Sequence, residues 1–196
     1  MTATTNIRIV FMGTPYFAVH MLKGLVKEGY NIVGVITAPD RPAGRGQKLK
    51  QSAVKHYAQE HGLHVLQPTN LKSTDFIAKL IALKCDLQVV VAFRMLPKVV
   101  WEIPNLGTFN LHASLLPQYR GAAPINWALI NGENETGVTT FFIDEKIDTG
   151  AIILQSKVSI LERDTAGTLH EKLMKKGRKL ILKTINLIKY GSVKTS

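Results

Sequence analysis

One cysteine, Cys85, in 196 residues rules out an internal disulfide, and with it the disulfide-stapled class of secreted domains. No apolar run approaches the about 20 residues that a bilayer requires, so no membrane contact is expected. The first residues, Met1 to Asn6, lack a basic stretch followed by an apolar one, the mark of a secretory leader. The cytoplasm is therefore the expected compartment. His20, His56, His61, His64 and His170 have no metal-like spacing, and no metal is expected. Both nucleotide-binding glycine motifs are missing too. Gly13-Thr14-Pro15 lacks the three-glycine spacing of a dinucleotide fingerprint and puts rigid proline in place of flexibility, and no P-loop occurs, which disfavours NAD and ATP.

Acidic residues are scarce: 14 Asp and Glu stand against 25 Lys and Arg, for a formal charge of +11. Such a field attracts polyanions. Nucleic acid and polyglutamylated or phosphorylated small molecules all qualify; a generally basic surface with no dedicated partner fits the charge equally well. Hydrophobic residues at 45% and charged residues at 20% suit one globular domain with a real core.

The pattern along the chain alternates strands and helices. Ile7–Met12 is a short apolar run ending at Gly13 and reads as a buried strand. Thr14 reads as an N-cap with Pro15 at the first helical position. Ala18, Met21, Leu22 and Leu25 then recur at helical spacing, and Gly29 ends the helix. Asn31–Thr37 reads as the next strand. Strand, helix, strand predicts a parallel sheet with right-handed crossovers. Pro39–Lys50, with its prolines, glycines and basic residues, reads as a loop. Helices are expected over Ser52–His61, Ser73–Leu83 and Pro124–Asn131, and strands near His64–Leu66, Leu87–Phe93, Thr108–Leu111, Gly137–Ile143 and Ile152–Val158. Asp164 or Thr165 can cap a long final helix, which Gly177 weakens in the middle. The expected fold is α/β, Rossmann-like and doubly wound, with a mostly parallel sheet and helices on both faces. Such sheets bind ligands at the carboxyl ends of their strands.

Two segments after strands carry chemistry. Asn110 and His112 are two apart at a strand end and so share a face. An amide there can stabilise an oxyanion, and a neutral imidazole can accept a proton near pH 7. Taken alone, Asn110 as a loop cap and His112 as a structural histidine explain the pair as well. Asp148, in the turn Asp144-Glu145-Lys146-Ile147-Asp148-Thr149-Gly150, follows another strand end on the same edge. A carboxylate there can reach His112, orient it and stabilise its cation. Amide, imidazole and carboxylate suit acyl transfer to an amine.

Asn110-x-His112-x-Ser114-Leu115-Leu116-Pro117, followed by Asp148-Thr149-Gly150, resembles the signature of the 10-formyltetrahydrofolate-dependent formyltransferases. Four further segments resemble the branch acting on methionyl-tRNA. These are Gly13-Thr14-Pro15-x-Phe17-Ala18, Pro39-Asp40-Arg41-Pro42-Ala43-Gly44-Arg45-Gly46, Tyr119-Arg120-Gly121-Ala122-Ala123-Pro124-Ile125 and Glu135-Thr136-Gly137-Val138-Thr139. The resemblance implies a catalytic trio of Asn110, His112 and Asp148 and 10-formyltetrahydrofolate as co-substrate. It places Ser114, Leu115, Leu116 and Pro117 against the folate, with Phe93, Leu96 and Asp144 in the pterin walls. It implies initiator methionyl-tRNA as partner, met by Arg45 first, then Lys48 and Arg41, and a monomeric enzyme. Two departures stand out. Phe93-Arg94-Met95-Leu96-Pro97 reads one residue shorter than the family's segment, with Arg94 at a usually flexible point. The family's C-terminal tRNA-binding β-barrel is also absent from residues 1–196, all of which read as the formyltransferase domain; a truncated piece is expected. Formyl transfer to another amine (a glycinamide ribonucleotide or an amino sugar), hydrolysis of the formyl donor, and a binding module without turnover are the alternatives. The ribonucleotide enzyme would carry a glycine- and serine-rich loop where Gly13-Thr14-Pro15 stands.

Overall fold

The computed structural model describes residues 7–43 and 48–195. The chain divides into two compact units, residues 1–108 and 109–196.

The first unit opens with β1 (Arg8–Gly13), α1 (Tyr16–Lys27) and β2 (Asn31–Ile36). The β1 run is buried because its residues are apolar on both faces, as a central parallel strand requires. Phe17, Ala18, Met21, Leu22 and Leu25 form the buried face of α1. Its cap differs from expectation. Pro15, not Thr14, occupies the N-cap in extended conformation, and no side chain caps the helix. Gly29, at φ +74°, turns the chain out of α1. Gly13 is needed for closeness: a Cβ there would lie 2.6 Å from the Ala18 Cβ and 2.9 Å from the Val91 carbonyl.

The segment expected to be a loop between Pro39 and Lys50 contains a small antiparallel pair, β3 (Arg41–Ala43) and β4 (Lys48–Lys50). Proline at Pro42 did not prevent this, since a two-stranded ribbon is all edge. Next come α2 (Ala53–Glu60), β5 (Val65–Leu66), α3 (Thr74–Ala82), β6 (Leu87–Val91) and a four-residue helix, α4 (Lys98–Trp101), that the sequence pattern did not suggest. Ser52 and Ser73 cap α2 and α3 through their side chains. The four main strands run in the order β5-β2-β1-β6, all parallel. The chain moves outward through α1 and α2, then returns across the sheet through α3. Right-handed crossovers therefore put α1 and α2 on one face and α3 on the other, the doubly wound arrangement.

The second unit holds β7 (Thr108–His112), α5 (Pro124–Ile130), β8 (Glu135–Phe142), β9 (Ile152–Ser159) and α6 (Ala166–Lys189). Its strands run β7-β8-β9 and are antiparallel. Residues 143–151 are too few for a crossover, so β9 must return beside β8. Helix α6 packs on β8 and β9, and the Thr184 and Thr140 hydroxyls meet at 2.7 Å beneath it. Thr139, next in the pleat, points to the other face, where His112 lies opposite it across the β7–β8 pair. Gly177 does not break α6; it is buried, and packing outweighs its propensity cost of about 1 kcal/mol.

The start of α6 is tied down by charge. Thr165 and Thr168 form a capping box, and Asp164 accepts hydrogen bonds from Lys172, Thr168 and the Leu161 amide. The Lys172 hydrogen bond, then the Leu161 amide, hold the Asp164 carboxyl down to about 2, against an ordinary value of 3.8. A carboxylate depressed in the folded state adds stability above its unfolded pKa and loses it as pH falls through the folded one. The stability difference between wild type and Asp164→Asn, measured by urea unfolding, is therefore expected to hold above about pH 4 and to shrink as the pH falls from 4 to 2. A difference that stays constant over that window would refute a charged anchor.

Candidate active site

Strand β7 delivers two side chains to one face at its carboxyl end. Asn110 is half-buried, and among the described residues its amide has no hydrogen-bond partner. His112 is buried at 8% exposure. Its Nε2 lies 2.8 Å from the Tyr119 carbonyl. A carbonyl only accepts, so Nε2 carries the proton. In the neutral ring Nδ1 is then the free lone pair, and it faces Asp148 Oδ2 at 3.6 Å. That separation is too long for a direct hydrogen bond and suits a bridging water, or a charge pair once the ring is doubly protonated.

Asp148 sits in the left-handed region, at φ +52°, which short polar residues tolerate best. Its Oδ2 also accepts from the Gly121 amide at 2.8 Å, and its own carbonyl accepts from Arg120 Nε at 2.8 Å. Two loops far apart in sequence thus lock together: 113–123 after β7 and 143–151 after β8. Gly150 allows the second loop to turn. A Cβ there would fall 1.6 Å from the Phe142 carbonyl oxygen, so only glycine fits.

The first loop carries unusual backbone. Tyr119, Gly121 and Ala123 all have positive φ, and Leu116–Pro117 is cis. Positive φ at the non-glycine residues Tyr119 and Ala123 survives only where the surroundings over-determine it. Buried Thr139 supplies much of that. Its hydroxyl donates to the Ser114 carbonyl at 2.7 Å and accepts from the Leu116 amide at 3.1 Å and Gln155 Nε2 at 3.0 Å, which uses its full capacity. Gln155 Nε2 also donates to the Leu116 carbonyl at 2.8 Å, and Ser114 Oγ donates to the Gln118 carbonyl at 2.6 Å. Tyr119 is held by its phenol, which donates to Glu133 at 2.5 Å and accepts from Asn131 at 3.0 Å. The phenol hydrogen bond to Glu133 raises its pKa. That clamp fixes the carbonyl on which His112 rests.

The other expected residues are placed as follows. Ser114 and Leu116 are buried in the loop, Leu115 covers Gly137, and Pro117 is exposed. The Asp144 carboxylate is spent on its own loop, accepting from the Lys146 amide at 3.0 Å and Thr149 Oγ1 at 2.8 Å. Phe93 and Leu96 belong to the first unit, half-buried and buried respectively, just after β6. Arg94 between them donates to the carbonyls of Thr69, at 3.0 Å, and Pro68, and lies 5.5 Å from the Phe93 ring centre. Arg41 is exposed. Lys48 contributes its backbone to β4; its side chain and all of Arg45 lie outside the described residues.

Residues 7–185 match a family model described as formyl transferase. The chain belongs to the formyl transferase family. Over 191 residues it is 64% identical to the methionyl-tRNA formyltransferase of Flavobacterium johnsoniae, covering 97% of this chain and 61% of that protein. The chain thus spans about three-fifths of the length of that relative. Among solved structures it resembles the phosphoribosylglycinamide formyltransferase of Bacillus halodurans, with a TM-score of 0.74 and 25% identity over 91% of this chain and 93% of that one. It also resembles an N-formyltransferase from Helicobacter canadensis in complex with folinic acid and dTDP-3-aminofucose, with a TM-score of 0.69 and 27% identity over 96% of this chain and 66% of that one. These neighbours share the Rossmann-like fold expected from the sequence.

The sequence pattern pointed to no chemistry at Tyr119, Gly121, Thr139 or Gln155, and of these Tyr119, Gly121 and Thr139 fall in the segments carrying the resemblance. Tyr119 and Gly121 act through backbone groups, and Thr139 and Gln155 act at sequence distances of 16 to 39 residues. Thr139→Val keeps the shape and removes the hydroxyl. It is expected to destabilise the protein by about 1–3 kcal/mol in urea unfolding, because buried partners lose their hydrogen bonds. No change in stability would show that the loop stands without this anchor.

Proposed function

We propose that the protein transfers the formyl group of 10-formyltetrahydrofolate to the α-amine of methionine on initiator tRNA. The observation that carries the chemistry is His112 Nδ1 facing Asp148 at 3.6 Å beside an Asn110 amide with no partner among the described residues. The 64% identity to a methionyl-tRNA formyltransferase supports the choice of amine over a ribonucleotide or sugar.

In this reading the amine nitrogen attacks the formyl carbon and the bond to N10 of the folate breaks. Asn110 Nδ2 donates to the formyl oxygen as negative charge builds there. His112 Nδ1 takes the proton that the amine loses and returns a proton to the leaving N10. While doubly protonated, the ring is held on one side by the Tyr119 carbonyl and on the other by the Asp148 carboxylate. Asp148 therefore acts on the charge of the ring, directly or through a water, while the Tyr119 carbonyl sets its orientation. The family likeness assigns Ser114, Leu115, Leu116, Pro117 and Asp144, together with Phe93 and Leu96, to the folate. The family likeness assigns Arg45, Lys48 and Arg41 to the tRNA phosphates.

His112→Ala or Asn110→Ala is expected to lower kcat for formylation of methionyl-tRNA by about 10²–10³ or more. Transfer at the wild-type rate by either variant would remove the assignment. Arg45→Ala is expected to raise KM for tRNA and leave folate binding alone; equal loss of both would sink a tRNA role for Arg45.

A further inference from the structure

Helix α6 carries a cationic face that the proposed reaction does not use. Lys172, Lys175, Lys176, Lys179 and Lys183, at successive spacings of three, one, three and four, share an arc of about 100° over about 16 Å of helix. Glu171 is the only acid between Ala166 and Lys189. Lys172 is paired with Asp164, but among the described residues Lys175, Lys176, Lys179 and Lys183 have no acidic partner, and all four are exposed.

A solvated helix face usually alternates sign. Here Lys172 and Lys176, Lys175 and Lys179, and Lys179 and Lys183 are like charges at i,i+4, an arrangement that weakens a helix. The macrodipole favours cations only in the last turn, which accounts for Lys189 and not for the run between Lys172 and Lys183. The face therefore works against the helix that bears it, and an anionic partner is the balance it lacks.

The end of the row is shaped differently. A cavity of about 400 Å³ is lined by Lys183, Asn186, Leu187, Tyr190, Ser192 and Leu154 of β9. Tyr190 continues the angular position of the lysines, is 67% exposed, and has Lys189 Nζ 5.3 Å from its ring centre. An exposed aromatic beside cations, at the end of a row of lysines, is how proteins hold a nucleic-acid strand: phosphates along the charges, a base against the ring. The direction is also informative. Lys172 reaches the Ser159 carbonyl, whereas Tyr190 lies by Leu154, so the row runs toward the end of β8 and β9 that bears the Asp148 loop.

We propose that this lysine face, ending at Tyr190, is a surface for the RNA backbone, and that its occupant is the tRNA substrate. The identity of the occupant rests on the reading under Proposed function; the affinity for RNA does not. About five phosphates of a strand, at about 3.4 Å of axis each, would fit along the row.

The test replaces Lys175, Lys176 and Lys179 together by Gln in the full chain, with the corresponding triple Arg variant as control. Binding of fluorescein-labelled tRNA is followed by anisotropy across a salt series, beside formylation kinetics. The Gln variant is expected to bind tRNA at least about tenfold more weakly at low salt, with the slope of log affinity against log salt reduced by about 2 to 3. The Arg variant should match wild type, and folate KM should not move in either. An unchanged slope in the Gln variant overturns the proposal, as does a loss in the Arg variant equal to that in Gln. So does a Gln variant that loses binding to anionic phosphatidylserine vesicles while keeping tRNA. If wild type binds tRNA with the steeper slope yet transfers no formyl group to it, the surface stands and the catalytic reading falls. If formylation of tRNA is intact and the slope is unchanged, the reverse holds.

Discussion

His112 has its Nε2–H on a backbone carbonyl, and that carbonyl belongs to Tyr119, seven residues further along the chain. For it to be there, the loop after β7 must fold back on its own strand, and it does so with positive φ at Tyr119, Gly121 and Ala123. Such backbone persists only if other groups hold it. Thr139 and Gln155 grip the loop from β8 and β9, Asp148 grips it through the Gly121 amide, and Glu133 and Asn131 grip the Tyr119 phenol. The geometry of the imidazole is thus set by the second unit acting together.

This arrangement also divides labour between two partners of the ring. Were Asp148 to bond Nδ1 directly and closely, the ring would have no free lone pair in its neutral state. At 3.6 Å the carboxylate leaves Nδ1 free and still faces the ring. In the proposed transfer, that combination lets one residue accept a proton and then give it back.

Much of this was legible in the letters. The alternation of apolar runs and helical spacings predicted the doubly wound unit, because strand and helix periodicity are local properties. Asn110 and His112 two apart at a strand end were enough to place both on one face. Asp148 was recognised as a turn residue after a strand. Less local features were not legible. The β3–β4 ribbon replaced a loop because its pairing lies across residues 41–50 and leaves no apolar signature. Pro15 took the cap position expected of Thr14. The hydrogen bond from Thr149 to the Asp144 carboxylate was not legible either, since it depends on how the turn closes. The lysines of α6 were visible as a charged helix, but their single face gained meaning only once Asp164 was seen to neutralise Lys172 alone.

The sequence by itself determined the order of the main strands and helices, the placing of Asn110, His112 and Asp148 at strand ends and the family to which the chain belongs, because each is written in residues close together in the chain. Tertiary structure alone decided which atom each side chain meets: that Nε2 finds the Tyr119 carbonyl, that the Asn110 amide meets no hydrogen-bond partner among the described residues, and that Thr139 secures a loop 23 residues earlier. Backbone carbonyls and amides recur at every residue, so no letter records which of them a fold will bring to the His112 ring.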